Sequence, residues 1–172
     1  WFCLVGSEMC IRDRYLPDAT ENDILETVDF VSKQELTPIT HLPARTMKDL
    51  DHVSDFLKEL RNRTDSKKIL VIGGGGNQNG TVSSSLEILE SGLLKENEFE
   101  EIGIAGHPEG SPDIDKNTVN EFLNKKYELS KDKNLNLELV TQFFFNAEPF
   151  IKWCKFLDNS NIKLPVRVGF PG

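Results

Sequence analysis

The 172-residue sequence predicts an α/β fold with parallel strands, and three observations lead to that class. Helical and strand-like patterns alternate from residue 15 onward, separated by short loops. Residues 69–72 are all apolar and are bounded by charged residues and glycines, as in a strand buried on both faces. The predicted strands begin near residues 36, 68, 101, 137 and 164, a spacing of about 27 to 36 residues that is typical of βα units with right-handed crossovers.

Each predicted helix has an apolar stripe, and two of them have polar residues suited to their first turn. Thr20 and Asp23 have capping-box spacing at the start of the first helix, and Thr46 with Asp49 is predicted to cap the second. The predicted helices cover residues 20–33, 46–60, 84–95, 117–131 and 148–157. The predicted strands cover residues 36–42, 69–72, 101–106, 137–145 and 164–170.

Two architectures are built from such units, and the polar residues favour one of them. A doubly wound sheet is complete with about five strands, whereas a (β/α)8 TIM barrel needs about 250 residues. However, polar residues or glycines lie at the end of every predicted strand. A barrel draws ligand contacts from several successive strand ends, whereas an open sheet concentrates them at one switch point. We therefore predict a partial (β/α)8 TIM barrel of about five to six βα units.

The composition argues against several classes of protein. The chain has 20 Lys and Arg against 28 Asp and Glu, which gives a formal net charge of −8. Nucleic-acid binders need a basic face, and a bilayer-spanning helix needs about 20 consecutive apolar residues, a run that the sequence lacks. The three cysteines show neither metal-ligand spacing nor a disulfide framework. We therefore expect a cytoplasmic protein that binds no metal, nucleic acid or membrane.

Residues 1–14 are treated separately from the fold. They lack the positive start and the small-residue cleavage site of a signal peptide. Residues 9–13 (MCIRD) resemble the translation of a transposon end used in shotgun sequencing libraries. We therefore expect residues 1–14 to be adapter-derived, residues 15–172 to be an incomplete TIM-barrel domain, and the chain to be truncated at its N-terminus.

Candidate binding groups follow several predicted strands. Residues 73–76 are four glycines whose backbone N–H groups suit a phosphate, although the run matches neither GxGxxG nor a P-loop and also suits a flexible loop. His107 and Glu109 suit acid–base chemistry or contacts with a heteroaromatic ring, but equally a solvated loop. A single histidine such as His41 is more often a structural hydrogen-bonding residue than a ligand.

Gln142 is the most informative single residue, because it interrupts an otherwise apolar strand. An unpaired buried amide costs about 1–3 kcal/mol. Gln142 is therefore either satisfied within the protein or placed at the barrel mouth, where it binds a polar heterocycle. The three phenylalanines that follow it, residues 143–145, are expected to belong to the core.

These motifs together resemble the methylenetetrahydrofolate reductase family. Residues 141–146 (TQFFFN) are similar to that family's TQFFFD strand end, and residues 105–112 (AGHPEGSP) to its AAYPEVHP segment. Residues 40–42 (THL) resemble its PHL strand, and residues 165–171 resemble the next strand, which ends in a GILP-like turn. The similarity covers residues 15–172, corresponds to the middle strands of the family's barrel, and indicates a divergent branch.

The resemblance implies an FAD enzyme in which NAD(P)H reduces the flavin, and the flavin reduces 5,10-methylenetetrahydrofolate to the 5-methyl form. Lys126 corresponds to a helix lysine that meets the flavin phosphates, and Gln142 to the residue that holds the folate pterin. The other positions that correspond to FAD contacts are His41, Gly73, Gly74, Ser83, His107 and Ser111. The family also implies a small-molecule folate substrate, and we expect a homo-oligomer for the full-length protein.

Several residues depart from the family pattern. Gly75 stands where the family has the aspartate that tunes flavin and folate, and the arginine near the phosphates is also replaced. His107 replaces a tyrosine, Ser111 replaces a histidine, and residues 82–83 (VS) replace a Tyr-Ala pair. The family's catalytic glutamate belongs to a strand outside this sequence, so the catalytic residues are left unassigned. The alternatives are a folate- or flavin-binding barrel without catalysis and an unrelated nucleotide-binding α/β domain.

Overall fold

A computed structural model of the chain describes residues 10–13, 20–74, 78–111 and 114–169. Gly75 and most of residues 1–14 lie outside the described residues. The chain forms two compact units, residues 1–102 and 103–172.

The first unit alternates parallel strands with helices. Its strands are β1 (Cys10–Asp13), β2 (Thr37–Pro43) and β3 (Lys68–Ile72), and its helices are α1 (Glu21–Lys33), α2 (Leu50–Arg63), α3 (Ser85–Ser91) and α4 (Leu93–Glu96). Within the first unit β2 pairs in parallel with both β1 and β3. A one-turn 3-10 helix, Ala44–Thr46, follows β2. The predicted alternation of helix and strand is confirmed here.

The second unit continues the same pattern. Strand β4 (Glu101–Gly106) begins at the boundary between the two units, and α5 (Lys116–Lys133), β5 (Leu137–Phe143), α6 (Ala147–Asn159) and β6 (Val166–Gly169) follow. β5 pairs in parallel with β6. The helices pack an apolar stripe inward, as Leu123 of α5 and Trp153 and Leu157 of α6 are buried.

The structure has the helix cap predicted at Thr20 but not the one predicted at Thr46. Thr20 and Asp23 form the expected capping box, because each side chain accepts a hydrogen bond from the other residue's backbone N–H. The cap assigned to Thr46 was wrong: α2 starts after Asp49, which accepts a hydrogen bond from the His52 N–H at 2.8 Å. Thr46 instead donates its hydroxyl proton to the Pro43 carbonyl, since it lies in the 3-10 turn before the helix.

A glycine divides one predicted helix into two. Residues 84–95 form α3 and α4, which are separated by Gly92 with a φ of +83°. This left-handed conformation interrupts the right-handed helix and is adopted most readily by glycine. The helical periodicity on either side of Gly92 therefore did not reveal the break.

The strand β1 belongs to the segment that we expect to be adapter-derived. Its four residues pair with residues 37–40 of β2 in parallel register. Parallel pairing is made by backbone groups, so it requires an extended chain and no particular side chains. The pairing therefore places no constraint on the origin of these residues.

Within the described residues no helix is long and apolar enough to span a membrane. The same residues contain no group of three or more His, Cys, Asp or Glu side chains arranged to hold a metal ion.

Gly106 at the end of β4 is expected to be intolerant of a side chain. A Cβ atom there would lie 2.8 Å from Cη2 of Trp153, whereas a Cβ at Gly73 would meet nothing within 4 Å. Overpacking a buried site costs about 1–3 kcal/mol, so Gly106→Ala should lower the free energy of unfolding by that amount in urea denaturation. Gly73→Ala is the control and should change it by less than about 0.5 kcal/mol. Equal effects of the two substitutions would contradict this packing.

Candidate active site

One pocket in the second unit brings together several of the predicted site residues. It has a volume of about 410 Å³ and is lined by residues 106–111, which follow β4, and by residues 142–144 at the end of β5. Because the carboxyl ends of parallel strands lie at the same edge of a sheet, both segments reach the same side of the unit. Of the predicted site residues, His107, Ser111 and Gln142 line this pocket.

A tight turn after β4 positions His107. The backbone N–H of Gly110 donates to the His107 carbonyl at 3.1 Å, and Gly110 has a φ of +86° that closes the turn. Immediately before His107, Gly106 packs against the indole of Trp153. The histidine is therefore held between a close-packed strand end and a hydrogen-bonded turn.

The end of β5 places Gln142 at the pocket with its side chain exposed. Its amide is not buried among apolar groups, so the desolvation cost inferred from the sequence does not arise. The binding of a polar heterocycle by Gln142 stays a prediction.

The prediction that residues 143–145 belong to the core was correct for one of the three. Phe144 is 8% exposed and stacks on Phe150 of α6 with ring centroids 5.1 Å apart. Phe143 and Phe145 are 59% and 85% exposed. The expectation failed for Phe143 because the pairing of β5 with β6 is irregular between Val140 and Phe143, and for Phe145 because it lies beyond the end of the strand.

Lys126 supplies an uncompensated positive charge beside His107. It lies on α5, is half-buried, and forms no salt bridge with the described carboxylates. Burial lowers the pKa of Lys126 to about 8. Burial also lowers the pKa of His107, and the charge of Lys126 lowers it further. At neutral pH the site therefore combines a neutral imidazole with a nearby ammonium that no carboxylate of the described ranges neutralises.

The other predicted site residues belong to the first unit. His41 lies on β2, half-buried and in register with Leu70. Gly73 and Gly74 directly follow β3, and the Gly73 carbonyl accepts a hydrogen bond from the Arg45 N–H at 3.0 Å. Gly74 has a φ of +84°, and a Cβ there would lie 3.1 Å from Cβ of Pro43. These contacts join the ends of β2 and β3.

Ser83 has a local role in the first unit. Its hydroxyl donates to the Glu87 carboxylate one turn later, and its backbone N–H points to the same group at 3.3 Å. This pairing fixes the segment before α3. It leaves the predicted FAD contact of Ser83 as a prediction.

Comparison with known proteins informs the fold. No protein-family model matches the chain. Among solved structures, the catalytic domain of a mannanase from Streptomyces sp. SirexAA-E aligns with a TM-score of 0.51 at 14% sequence identity. The match covers 90% of this chain and 52% of the mannanase chain, so the present chain spans about half of that structure. At this identity the likeness is one of fold, and it supports an α/β, partial TIM-barrel-like arrangement.

Acidic side chains are sparse in the described lining of the pocket. Glycoside hydrolysis typically uses two carboxylates on either side of the scissile bond. Among the described residues that line the pocket, Glu109 is the one carboxylate. The described lining therefore supplies one of these two groups.

Replacement of Lys126 by an apolar side chain should stabilise the protein. The folded-state pKa of about 8 lies below the unfolded value of about 10.4, so the buried charge destabilises the fold fully below pH 8. That penalty disappears as pH rises towards 10.4. Lys126→Met should raise the free energy of unfolding by about 2–3 kcal/mol at pH 7, and by much less near pH 10.5, in urea denaturation.

The neighbouring lysine provides the control. Lys125 is exposed and pairs with Glu121 at 2.6 Å, so Lys125→Met should change the free energy of unfolding by no more than about 0.5 kcal/mol at either pH. A Lys126→Met protein that is destabilised at pH 7 would contradict the unpaired buried charge.

Proposed function

We propose that this chain is part of a flavin-dependent oxidoreductase similar to methylenetetrahydrofolate reductase, which uses FAD and NAD(P)H and acts on a folate. The observation that carries the proposal is the half-buried Lys126 ammonium, which has no carboxylate partner among the described residues and lies beside a pocket lined by His107 and Gln142. A buried cation that raises the energy of the empty protein is expected where an anionic ligand supplies the missing charge.

The residues suit the cofactor in their chemistry. Lys126 is a point charge suited to a diphosphate. His107, kept neutral by burial and by Lys126, can both donate and accept a hydrogen bond at the edge of a heteroaromatic ring. In this role the imidazole would replace the family's tyrosine. The flavin itself would supply the hydride chemistry, and the protein residues would bind and orient it.

Gln142 suits the folate rather than the flavin. Its amide offers both a donor and an acceptor, the combination that a pterin edge requires. Because the side chain is exposed at the pocket, it can meet a ligand without first breaking a hydrogen bond in the core.

The first test is the visible spectrum of the purified 172-residue chain after incubation with FAD. A bound flavin that is bleached by NADH under anaerobic conditions is the expected result. Reoxidation by 5,10-methylenetetrahydrofolate is not part of this test, because the family's catalytic glutamate belongs to a strand outside this sequence. A flavin that binds but is not bleached would support the alternative, a folate- or flavin-binding barrel without catalysis. A protein that takes up no flavin would overturn the flavoenzyme proposal.

Lys126→Met should weaken FAD binding even though it stabilises the protein. A hydrogen bond to a charged group contributes about 1.5–3 kcal/mol, so the Kd for FAD should rise about 10- to 100-fold. For the unmodified chain the Kd should also rise above pH 8, where Lys126 loses its proton. Lys125→Met is again the control, and flavin fluorescence titration is the measurement. An unchanged Kd would exclude Lys126 from the FAD site.

Gln142→Ala should weaken folate binding and leave flavin binding intact. Loss of its amide contacts removes about 0.5–1.5 kcal/mol for each neutral hydrogen bond, or about 2- to 13-fold in Kd. Calorimetric titration with 5-methyltetrahydrofolate measures the effect, and flavin content is the internal control. Loss of flavin instead would contradict the role assigned to Gln142.

A further inference from the structure

We propose that Phe143 is a specificity-determining residue, whose ring stacks on an aromatic ring of the folate while the neighbouring Gln142 binds the edge of the same ligand. This inference rests on the proposed function and extends it to a residue that the resemblance did not assign. It is carried by the geometry of the end of β5.

Two consecutive exposed residues, Gln142 and Phe143, line the pocket where the register of β5 is irregular. In a regular strand, successive side chains point to opposite faces of the sheet. The pairing of β5 with β6 shifts between Val140 and Phe143, and both Gln142 and Phe143 line the pocket. Such irregularities change the direction of a side chain and are frequent beside binding sites.

The ring of Phe143 is open to a ligand. Phe143 lines the pocket, and yet its side chain is 59% exposed. Within the described part of the chain its aromatic neighbour is Phe145, at a centroid distance of 5.9 Å and an interplanar angle of 82°. In this perpendicular arrangement the two rings do not stack face to face, so a face of Phe143 remains available.

The backbone of Phe143 is held in place by β6. Phe143 pairs with Gly169, and a Cβ at Gly169 would lie 3.0 Å from the Phe143 nitrogen. The Gly169 N–H also donates to the Thr141 hydroxyl at 3.0 Å. This close approach fixes the strand end, so the phenyl ring can be preorganised for a ligand.

An amide and an aromatic face together match a folate ring. The ring's edge carries hydrogen-bonding nitrogens and oxygens, and its faces are flat and apolar. Gln142 suits the edge and Phe143 suits the face. The pocket is therefore suited to a ligand that has both a planar face and a hydrogen-bonding edge.

The experiment compares Phe143→Leu, Phe143→Tyr and Phe145→Leu in the full chain saturated with FAD. Calorimetry with 5-methyltetrahydrofolate gives the folate Kd, and flavin fluorescence gives the FAD Kd. Aromatic stacking contributes about 0.5–1.5 kcal/mol, so Phe143→Leu should raise the folate Kd about 2- to 12-fold. Phe143→Tyr keeps the aromatic ring, so its folate Kd should stay within about twofold of that of the unmodified chain. Phe145 does not line the pocket, so the Phe145→Leu variant should bind folate and FAD with the same Kd values as the unmodified chain.

The outcomes separate this inference from the function on which it rests. If the unmodified chain binds neither flavin nor folate, the proposed function fails, and this inference fails with it. If the unmodified chain binds both but Phe143→Leu leaves the folate Kd unchanged, the inference alone is overturned. Equal weakening by Phe143→Leu and Phe145→Leu, or loss of FAD with Phe143→Leu, would also overturn it, because either result indicates a general effect on the strand end.

Discussion

The contact between Trp153 and Gly106 is the constraint on which the pocket depends. The indole lies so close to the end of β4 that no side chain fits at residue 106. Trp153 is also near Phe150, which stacks on Phe144, so one aromatic cluster joins α6 to the ends of β4 and β5. One pocket segment begins at Gly106, and the other ends at Phe144. Both residues contact this cluster, so the packing of its rings sets the distance between the two segments.

A positive charge lies beside the pocket, although the chain as a whole is negatively charged. The chain has a formal net charge of −8, yet Lys126 has no acidic partner among the described residues and lies close enough to His107 to lower its pKa. Elsewhere on the same helix lysines pair with acids one turn away, as Lys125 does with Glu121 and Lys131 with Glu128. A paired surface lysine contributes little to stability, whereas a buried unpaired one is costly and is retained where it has a use.

Much of the architecture could be predicted from local sequence patterns, because these report which faces are buried. β4 was predicted with the bounds that the structure has, and the α1 capping box follows from two residues three positions apart. The failures involve information that is not local. Gly92 breaks a helix through its backbone conformation, and the exposure of Phe143 accompanies an irregular register in the pairing of β5 with β6. The lowered pKa of Lys126 arises from burial in the folded chain, and its sequence neighbours do not distinguish it from Lys125.

The position of Trp153 also makes the protein its own optical reporter. The sequence contains two tryptophans, and the other, Trp1, belongs to the segment that we expect to be adapter-derived. Trp153 is 5% exposed and touches a residue that lines the pocket. Indole emission overlaps the absorption of flavins, so excitation energy would pass from Trp153 to a flavin bound in the pocket. A chain shortened to begin at Tyr15 would thus signal occupancy as a fall in ultraviolet emission from one known position, without any attached dye.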